Sequence, residues 1–122
     1  STGAMEEVVA NHPDIAECAV LGIFDELKGQ IPIGLACLNI GCNRLHKDIC
    51  EEIIQLVRNE IGPVASFKYI GLVSALPKTR SGKILRSTIR KIADGEKWEM
   101  PATIENPKVF DEIIEVLNKF KK

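Results

Sequence analysis

Apolar positions divide the chain into short runs with two different periods. Residues 15–23 (IAECAVLGI) and 31–40 (IPIGLACLNI) are rich in strand-forming residues, and the charged segment 24–30 between them contains a glycine. This pattern predicts two strands joined by a loop, which can pair as antiparallel neighbours. Pro32 favours an edge position or a strand start, because proline cannot donate a ladder hydrogen bond. A third apolar run at 67–76 predicts another strand.

The remaining apolar positions follow a helical period of 3.6 residues. The clearest helix is predicted at 46–60 and ends at Gly62 and Pro63; its apolar positions are Ile49, Cys50, Ile53, Ile54, Val57 and Ile61. Shorter helices are predicted at 1–11, after residue 84 with a stop at Asp94 and Gly95, and at 109–120. The order of elements predicts an α+β fold, a small sheet of about three strands packed with helices.

Composition limits the chain to one domain and to a local site. The 122 residues are 45% hydrophobic, enough for one core, and the formal net charge of −1 argues against attraction of the whole surface to nucleic acid or membrane. No apolar run of about 18 residues and no signal segment occurs in the sequence.

The cysteines and histidines lack the spacing of a metal site. No Cys-x-x-Cys pair occurs, and the chain has two histidines, so no metal ligands are predicted. The cysteines are interpreted as reduced, small apolar residues in a cytosol-like compartment; they are Cys18, Cys37, Cys42 and Cys50. We therefore expect a cytoplasmic location, or the mitochondrial matrix if a targeting segment precedes the chain.

The segment 78–91 concentrates six cations, namely Lys78, Arg80, Lys83, Arg86, Arg90 and Lys91. A Walker-type phosphate loop is excluded, because Pro77 and Ile84 occupy the positions of its first glycine and its Ser or Thr. Instead, Lys83 follows a flexible Ser81–Gly82 turn and is expected at the start of a helix, whose N-terminus also favours anions. At neutral pH a lysine ammonium acts through its charge. Within ~3 Å of an oxyanion, at an effective dielectric constant of ~20, it contributes about 5 kcal/mol before desolvation.

From the residues alone, three interpretations of this basic segment remain open. It is a solvated cationic face, an anion site centred on Lys83, or a docking surface for nucleic acid or an acidic protein. Nucleic acid would be bound through Arg80, Arg86, Arg90 and Lys91, whereas an acidic protein would meet the basic helix. Against nucleic acid stand the near-neutral charge and the single Trp and single Tyr available for base stacking.

The segment LPKTRSGKILRSTIRKIADGE at 76–96 resembles the catalytic-lysine motif of AMP-forming acyl-coenzyme A synthetases, adenylate-forming ligases. The likeness is to the acetyl- and propionyl-coenzyme A synthetase branch, and its Pro-Lys-Thr-x-Ser-Gly-Lys core is highly specific. Further matches are HPDIAECAVLGI at 12–23, KGQ at 28–30 and VRNEIGP at 57–63. The resemblance covers nearly the whole chain.

The resemblance implies that residues 1–122 form the C-terminal lid domain of such a ligase, inactive alone. A hinge and an N-terminal adenylation domain, which binds ATP, Mg²⁺ and an acid of the acetate or propionate class, would precede Ser1. Lys83 then matches the lysine that reaches the acyl carboxylate and the α-phosphate, with Ser81 and Gly82 allowing close approach. Arg58 matches an arginine that contacts the phosphates of coenzyme A. ATP and coenzyme A are substrates of the full enzyme, and no cofactor is expected on the lid alone.

The resemblance also implies the partners of the chain. They are its own N-terminal domain, the carboxylate, ATP and coenzyme A, and neither nucleic acid nor membrane. In this family the matching lysine is a target of reversible acylation, so an acyltransferase and a deacylase acting on Lys83 are a further expectation. Acylation would remove the ammonium charge and leave the loop folded.

Overall fold

A computed structural model describes residues 1–121, so Lys122, the last residue of the predicted lid domain, lies outside the described residues. The described part contains, in chain order, α1 (Thr2–Ala10), β1 (Ile15–Asp25), β2 (Gly29–Leu38), α2 (His46–Glu60), a short 3-10 helix (Pro63–Ala65), β3 (Tyr69–Leu72), α3 (Arg86–Ala93) and α4 (Val109–Phe120). No helix within residues 1–121 is long and apolar enough to cross a membrane.

The three strands form one sheet with β2 in the centre. β1 pairs with β2 in antiparallel register from Asp25↔Gly29 to Ile15↔Leu38, and β2 pairs with β3 in parallel register from Ile33↔Tyr69 to Ala36↔Leu72. The parallel pair requires a crossover connection, and α2 supplies it. The predicted α+β class, with a three-stranded sheet and helices, is therefore confirmed.

Helices cover both faces of the sheet, so the structure has three layers. Side chains alternate between faces along a strand. Accordingly, Ala19, Leu21 and Ile23 of β1 join a core with α3 and α4, whereas Cys18 and Val20 join a second core with α1 and α2. Burial on both faces explains why the two long strands read as continuous apolar runs.

Local signals fix the ends of several helices. The Ser1 hydroxyl accepts a hydrogen bond from the backbone N–H of Ala4 at 3.3 Å and caps α1. After α3, Gly95 has φ +71°, and the N–H of Glu96 donates to the carbonyl of Lys91 at 2.9 Å. This is the Schellman pattern that ends many helices at glycine, so the predicted stop at Asp94 and Gly95 is confirmed.

The predicted strand boundaries need three corrections. The segment 24–30 is mostly paired strand, with a turn at 26–28, and β2 ends at Leu38 before residue 40. β3 spans four residues, shorter than predicted; just after it the N–H of Val73 still donates to Ala36 of β2, and the N–H of Ser74 donates to the Glu112 carboxylate at 2.7 Å. Pro32 lies in the central strand β2. Because β2 pairs with β3 only from Ile33 onward, the edge of β2 that faces β3 is unpaired at Pro32.

Candidate active site

The residues from Pro77 to Leu85 form a small β-hairpin. Its arms are joined by hydrogen bonds from the N–H of Thr79 to the carbonyl of Lys83 and from the N–H of Leu85 to the carbonyl of Pro77, both 2.9 Å long. Lys78 and Ile84 face each other across the two arms as an antiparallel bridge. We call residues 77–85 the lysine hairpin.

The turn of the lysine hairpin is closed by its own polar groups. The N–H of Gly82 donates to the carbonyl of Thr79 at 2.9 Å, and Gly82 has φ +92°. A turn followed by a positive-φ residue is a common three-residue hairpin connection, which favours glycine. The Thr79 hydroxyl accepts from the N–H of Lys83 at 3.2 Å and lies 2.9 Å from the Ser81 hydroxyl. The expected flexible Ser81–Gly82 turn is thus hydrogen-bonded on both sides.

A third extended segment, residues 103–105, lies along the first arm of the hairpin. The N–H of Arg80 donates to the carbonyl of Thr103, and the N–H of Glu105 donates to the carbonyl of Lys78, both at 3.0 Å. Ile104 between them is buried. This contact was not predicted, because the sequence at 101–107 shows only an extended link between prolines.

Lys83 lies on the second arm and is exposed. Among residues 1–121 its ammonium has no hydrogen bond or ion pair, although its backbone N–H and carbonyl are both bound to Thr79. The expectation that Lys83 opens a helix is wrong: α3 begins at Arg86, because residues 77–85 are used by the hairpin. The hairpin therefore presents a cation on an ordered backbone.

Three of the other cations in the basic segment are bound to carboxylates. Lys78 Nζ lies 2.5 Å from Glu17 Oε2, and this hydrogen bond raises the pKa of Lys78. Arg86 makes two hydrogen bonds of 3.2 and 2.7 Å to Glu6 of α1.

The pairing continues along α3. Arg90 binds Asp94 and Glu96 at 3.3 and 2.8 Å. Ion pairing removes much of the basic surface that nucleic-acid docking by Arg86 and Arg90 would need. Within the described part of the chain, Arg80, Lys83 and Lys91 have no such pair.

Arg58 lies in the last turn of α2, on the opposite side of the sheet from α3, and is exposed. It lines a cavity of about 50 Å³ together with Phe67 and Lys68. Lys28, from the turn between β1 and β2, donates to the Ser66 hydroxyl at the same place at 2.9 Å. Three cations without an ion pair in residues 1–121 therefore surround the end of α2, an arrangement suited to a phosphorylated ligand.

The four cysteines are free thiols, and Cys18 and Cys37 are buried. Burial, with a contribution from nearby carboxylates, raises the pKa of Cys18 to about 11 and that of Cys37 to about 12, so both stay protonated at neutral pH. Protonated thiols in a core fit the interpretation of the cysteines as small apolar residues.

One cluster of side chains brings the donor atoms of three possible metal ligands close together. Donor atoms of His12, Asp14 and Glu52 lie within 4.8 Å of one another. The Arg44 guanidinium binds both carboxylates of the cluster, and His12 Nε2 lies 2.8 Å from Glu52 Oε1. Both carboxylates are already bound by Arg44, so the residues form an ion-pair network that joins α2 to the segment before β1.

Comparison with known proteins gives one consistent result. The sequence profile of the family described as "AMP-binding enzyme C-terminal domain" matches residues 4–83, two thirds of the chain. The chain is 48% identical over 121 residues to the acyl-CoA synthetase short-chain family member B, mitochondrial, of Dictyostelium discoideum. It is 42% identical over 124 aligned residues to acetyl-coenzyme A synthetase 1 of Debaryomyces hansenii.

These alignments cover 99% and 100% of this chain but 18% of each relative. The acetoacetyl-CoA synthetase of Streptomyces lividans has the same fold, with a TM-score of 0.76 at 20% identity over 98% of this chain and 18% of that one. The chain thus corresponds to a small part of the proteins that it resembles. On its profile match, it belongs to the family of AMP-binding enzyme C-terminal domains.

Proposed function

We propose that the chain is the C-terminal domain of a ligase that activates a short-chain carboxylic acid with ATP and passes the acyl group to coenzyme A. In the first half-reaction a carboxylate oxygen attacks the α-phosphorus of ATP, the bond to the bridging oxygen breaks, and pyrophosphate leaves. In the second, the thiolate of coenzyme A attacks the acyl carbonyl, and AMP leaves. The domain acts with an adenylation domain, in the cytosol or the mitochondrial matrix.

We propose that Lys83 is the catalytic residue of the first half-reaction. The single observation that carries this role is an exposed ammonium, unpaired within residues 1–121, on a hairpin whose backbone is held by hydrogen bonds. Both the attacking carboxylate and the α-phosphate carry negative charge, and more gathers on the phosphate oxygens as the new bond forms. A cation placed there stabilises the transition state, provided that the adenylation domain excludes water.

The hairpin geometry also supports roles for Ser81 and Gly82. The Ser81 hydroxyl lies against Thr79, and no atom lies within 4 Å of where a Gly82 side chain would begin. A slim, ordered tip of this kind can enter a cleft between two bound substrates. Ser81 and Gly82 therefore shape the approach of Lys83 and take no part in the chemistry.

We propose that Arg58 binds a phosphate of coenzyme A in the second half-reaction. Its position beside Lys68 and near Lys28 supplies positive charge to a phosphorylated nucleotide, and it lies across the sheet from α3. A rotation of the domain between the two half-reactions would exchange these two surfaces at the active site. Replacing Arg58 with Ala should raise the KM for coenzyme A by about 10-fold or more and leave adenylation unchanged.

The test of the proposed function separates the half-reactions in the full-length enzyme. Lys83→Ala should slow adenylation, measured as exchange of labelled pyrophosphate into ATP, by at least ~100-fold. Thioester formation from supplied acyl-AMP should continue at its normal rate. Lys91→Ala removes another exposed cation that has no ion pair in the described part and serves as the matched control. Equal losses in both half-reactions of Lys83→Ala would contradict the proposal.

A further inference from the structure

We propose that Glu17 and Lys78 are positioning residues for Lys83, an inference that rests on the proposed function. The Glu17–Lys78 ion pair ties the first arm of the lysine hairpin to strand β1, 61 residues earlier in the chain. Neither residue touches the reacting atoms in this scheme. They set where the backbone of Lys83 lies relative to the sheet.

Glu17 interrupts an apolar row on the face of β1 that carries the hairpin and α3. In that row Ala19, Leu21 and Ile23 are buried, and Glu17 occupies the position two residues before Ala19. The pairing register shifts between Ile15 and Glu17, an irregularity of the kind that redirects a side chain. A carboxylate placed here needs a partner, and the ammonium of Lys78 lies 2.5 Å from it.

The other carboxylate oxygen of Glu17 is also engaged. The Cys37 thiol of β2 donates to Glu17 Oε1 across 3.8 Å, and Lys78 binds Oε2. Burial keeps the pKa of Cys37 well above neutrality, so the thiol retains the proton that it donates. The carboxylate is thereby held from both sides, which limits the directions in which Lys78 can be bound.

The position of Lys78 transmits this constraint to Lys83. Lys78 faces Ile84 across the hairpin, and Ile84 is the neighbour of Lys83 in the chain. The backbone of Lys78 is also fixed from the opposite side, since its carbonyl accepts the N–H of Glu105. Breaking the ion pair would leave the hairpin attached to residues 103–105 and to the core through Pro77 and Ile84, but would remove the polar contact that fixes Lys78 against β1.

The degree of exposure favours positioning over stability as the main role. The side chains of Lys78 and Glu17 are 29% and 33% exposed, and pairs that water reaches add little to the free energy of unfolding. Catalysis is far more sensitive, because a displacement of about 1 Å of a catalytic group can cost on the order of 100-fold in rate. A weak contact can therefore have a large effect on the reaction when it sets the location of Lys83.

The experiment uses the full-length enzyme with Glu17→Gln, which keeps the shape of the side chain and removes its charge. We expect adenylation to slow about 10-fold in kcat with the KM for ATP unchanged, and thioester formation from supplied acyl-AMP to stay normal. Lys78→Arg keeps the charge and should retain most of the adenylation rate. Lys78→Met removes the charge and should slow adenylation as much as Glu17→Gln does. Arg90→Gln breaks ion pairs at the far end of α3 and is the matched control.

The outcomes separate this inference from the proposed function. If Lys83→Ala slows adenylation but Glu17→Gln does not, the inference is overturned and the proposed function stands. If Lys83→Ala has no effect, the proposed function itself fails. Equal losses in both half-reactions of Glu17→Gln, with a lower unfolding temperature, would mean a purely structural role and would also overturn the inference.

A second measurement does not depend on the activity of Glu17→Gln. Hydrogen exchange of the Thr79 and Lys83 N–H groups should be faster in Glu17→Asp than in the unchanged enzyme, because the shorter side chain lengthens the contact and a hairpin that moves more against the sheet opens its own hydrogen bonds more often. Exchange elsewhere in β1 should stay the same. Unchanged protection at Thr79 and Lys83 would overturn the inference.

Discussion

The chain contains two β-hairpins that are closed by similar turns but held in place in different ways. In the hairpin of β1 and β2, Asp25 accepts the N–H groups of Leu27 and Lys28, and Gly29 has φ +82°. In the lysine hairpin, the hydroxyl of Thr79 and the positive φ of Gly82 have the same function. Turn chemistry alone therefore does not determine how firmly a hairpin is fixed.

The difference between the two hairpins lies in what their arms contact. β1 and β2 are buried on both faces between helices, so the hydrophobic effect holds them. The lysine hairpin is anchored in the core only by Pro77 and Ile84 and leaves Lys83 exposed. Its other contacts are backbone hydrogen bonds to residues 103–105 and the Glu17–Lys78 ion pair. Burial gives stability, whereas polar contacts can order a segment whose tip stays exposed.

The largest effect is expected in the central hairpin. Leu35 of β2 is fully buried, and Leu35→Ala should lower the free energy of unfolding by about 2–5 kcal/mol through lost burial and a cavity. Chemical denaturation of the chain measures this change. Leu27, at the turn of the same hairpin, is 96% exposed, so Leu27→Ala should change stability by no more than about 0.5 kcal/mol. Similar losses in both variants would show that burial does not distinguish the strands from their turn.

The contrast also explains which parts of the structure could be predicted from the sequence. The helix at 46–60 was predicted to the residue, because its period of 3.6 persists until Gly62 stops it. The two long strands were found for a similar reason: burial on both faces leaves a continuous apolar run. In each case the signal is local and hydrophobic.

The parts that were missed depend on polar contacts between distant residues. Directly after β3 the N–H of Ser74 is bound by Glu112, 38 residues further along the chain. The lysine hairpin depends on Glu17 and on residues 103–105, and no local period records these contacts. The motif pointed to Lys83, but the sequence could not show whether its loop was ordered.

A smaller effect is expected at the turn of the lysine hairpin. Gly82 has φ +92° and nothing within 4 Å of an added Cβ, so Gly82→Ala introduces backbone strain without a clash. We expect a loss of roughly 1–2 kcal/mol in the free energy of unfolding, or a distorted turn in its place. Gly82→Asn should be milder, because asparagine tolerates positive φ better than alanine.

Adenylation by the full-length Gly82→Ala enzyme should fall along with this change, since the turn places Lys83. Gly3→Ala is the matched control. Nothing lies within 4 Å of a Cβ added at Gly3, and this residue is in a helix, where alanine is favoured. If Gly82→Ala retained both full stability and full adenylation, the conformation of the turn would have no importance for the site.

The smallest effect concerns pH and the ion-pair network of Glu52. Hydrogen bonds from Arg44 and His12 lower the pKa of Glu52 from its ordinary 4.5 to about 2. A carboxylate with a lowered pKa contributes stability above pH 4.5, and this contribution is lost as the pH falls towards 2. Thermal unfolding should therefore show that Glu52→Gln is slightly less stable than the unchanged chain at pH 7, and that the difference disappears by about pH 2.

The control is Glu51→Gln, at a neighbouring exposed position without an ion pair in residues 1–121. Its difference in stability from the unchanged chain should not become smaller between pH 7 and pH 2. A constant difference for Glu52→Gln across this range would mean that the network adds no charge-dependent stability, and that exposed polar contacts in this chain order segments without stabilising them.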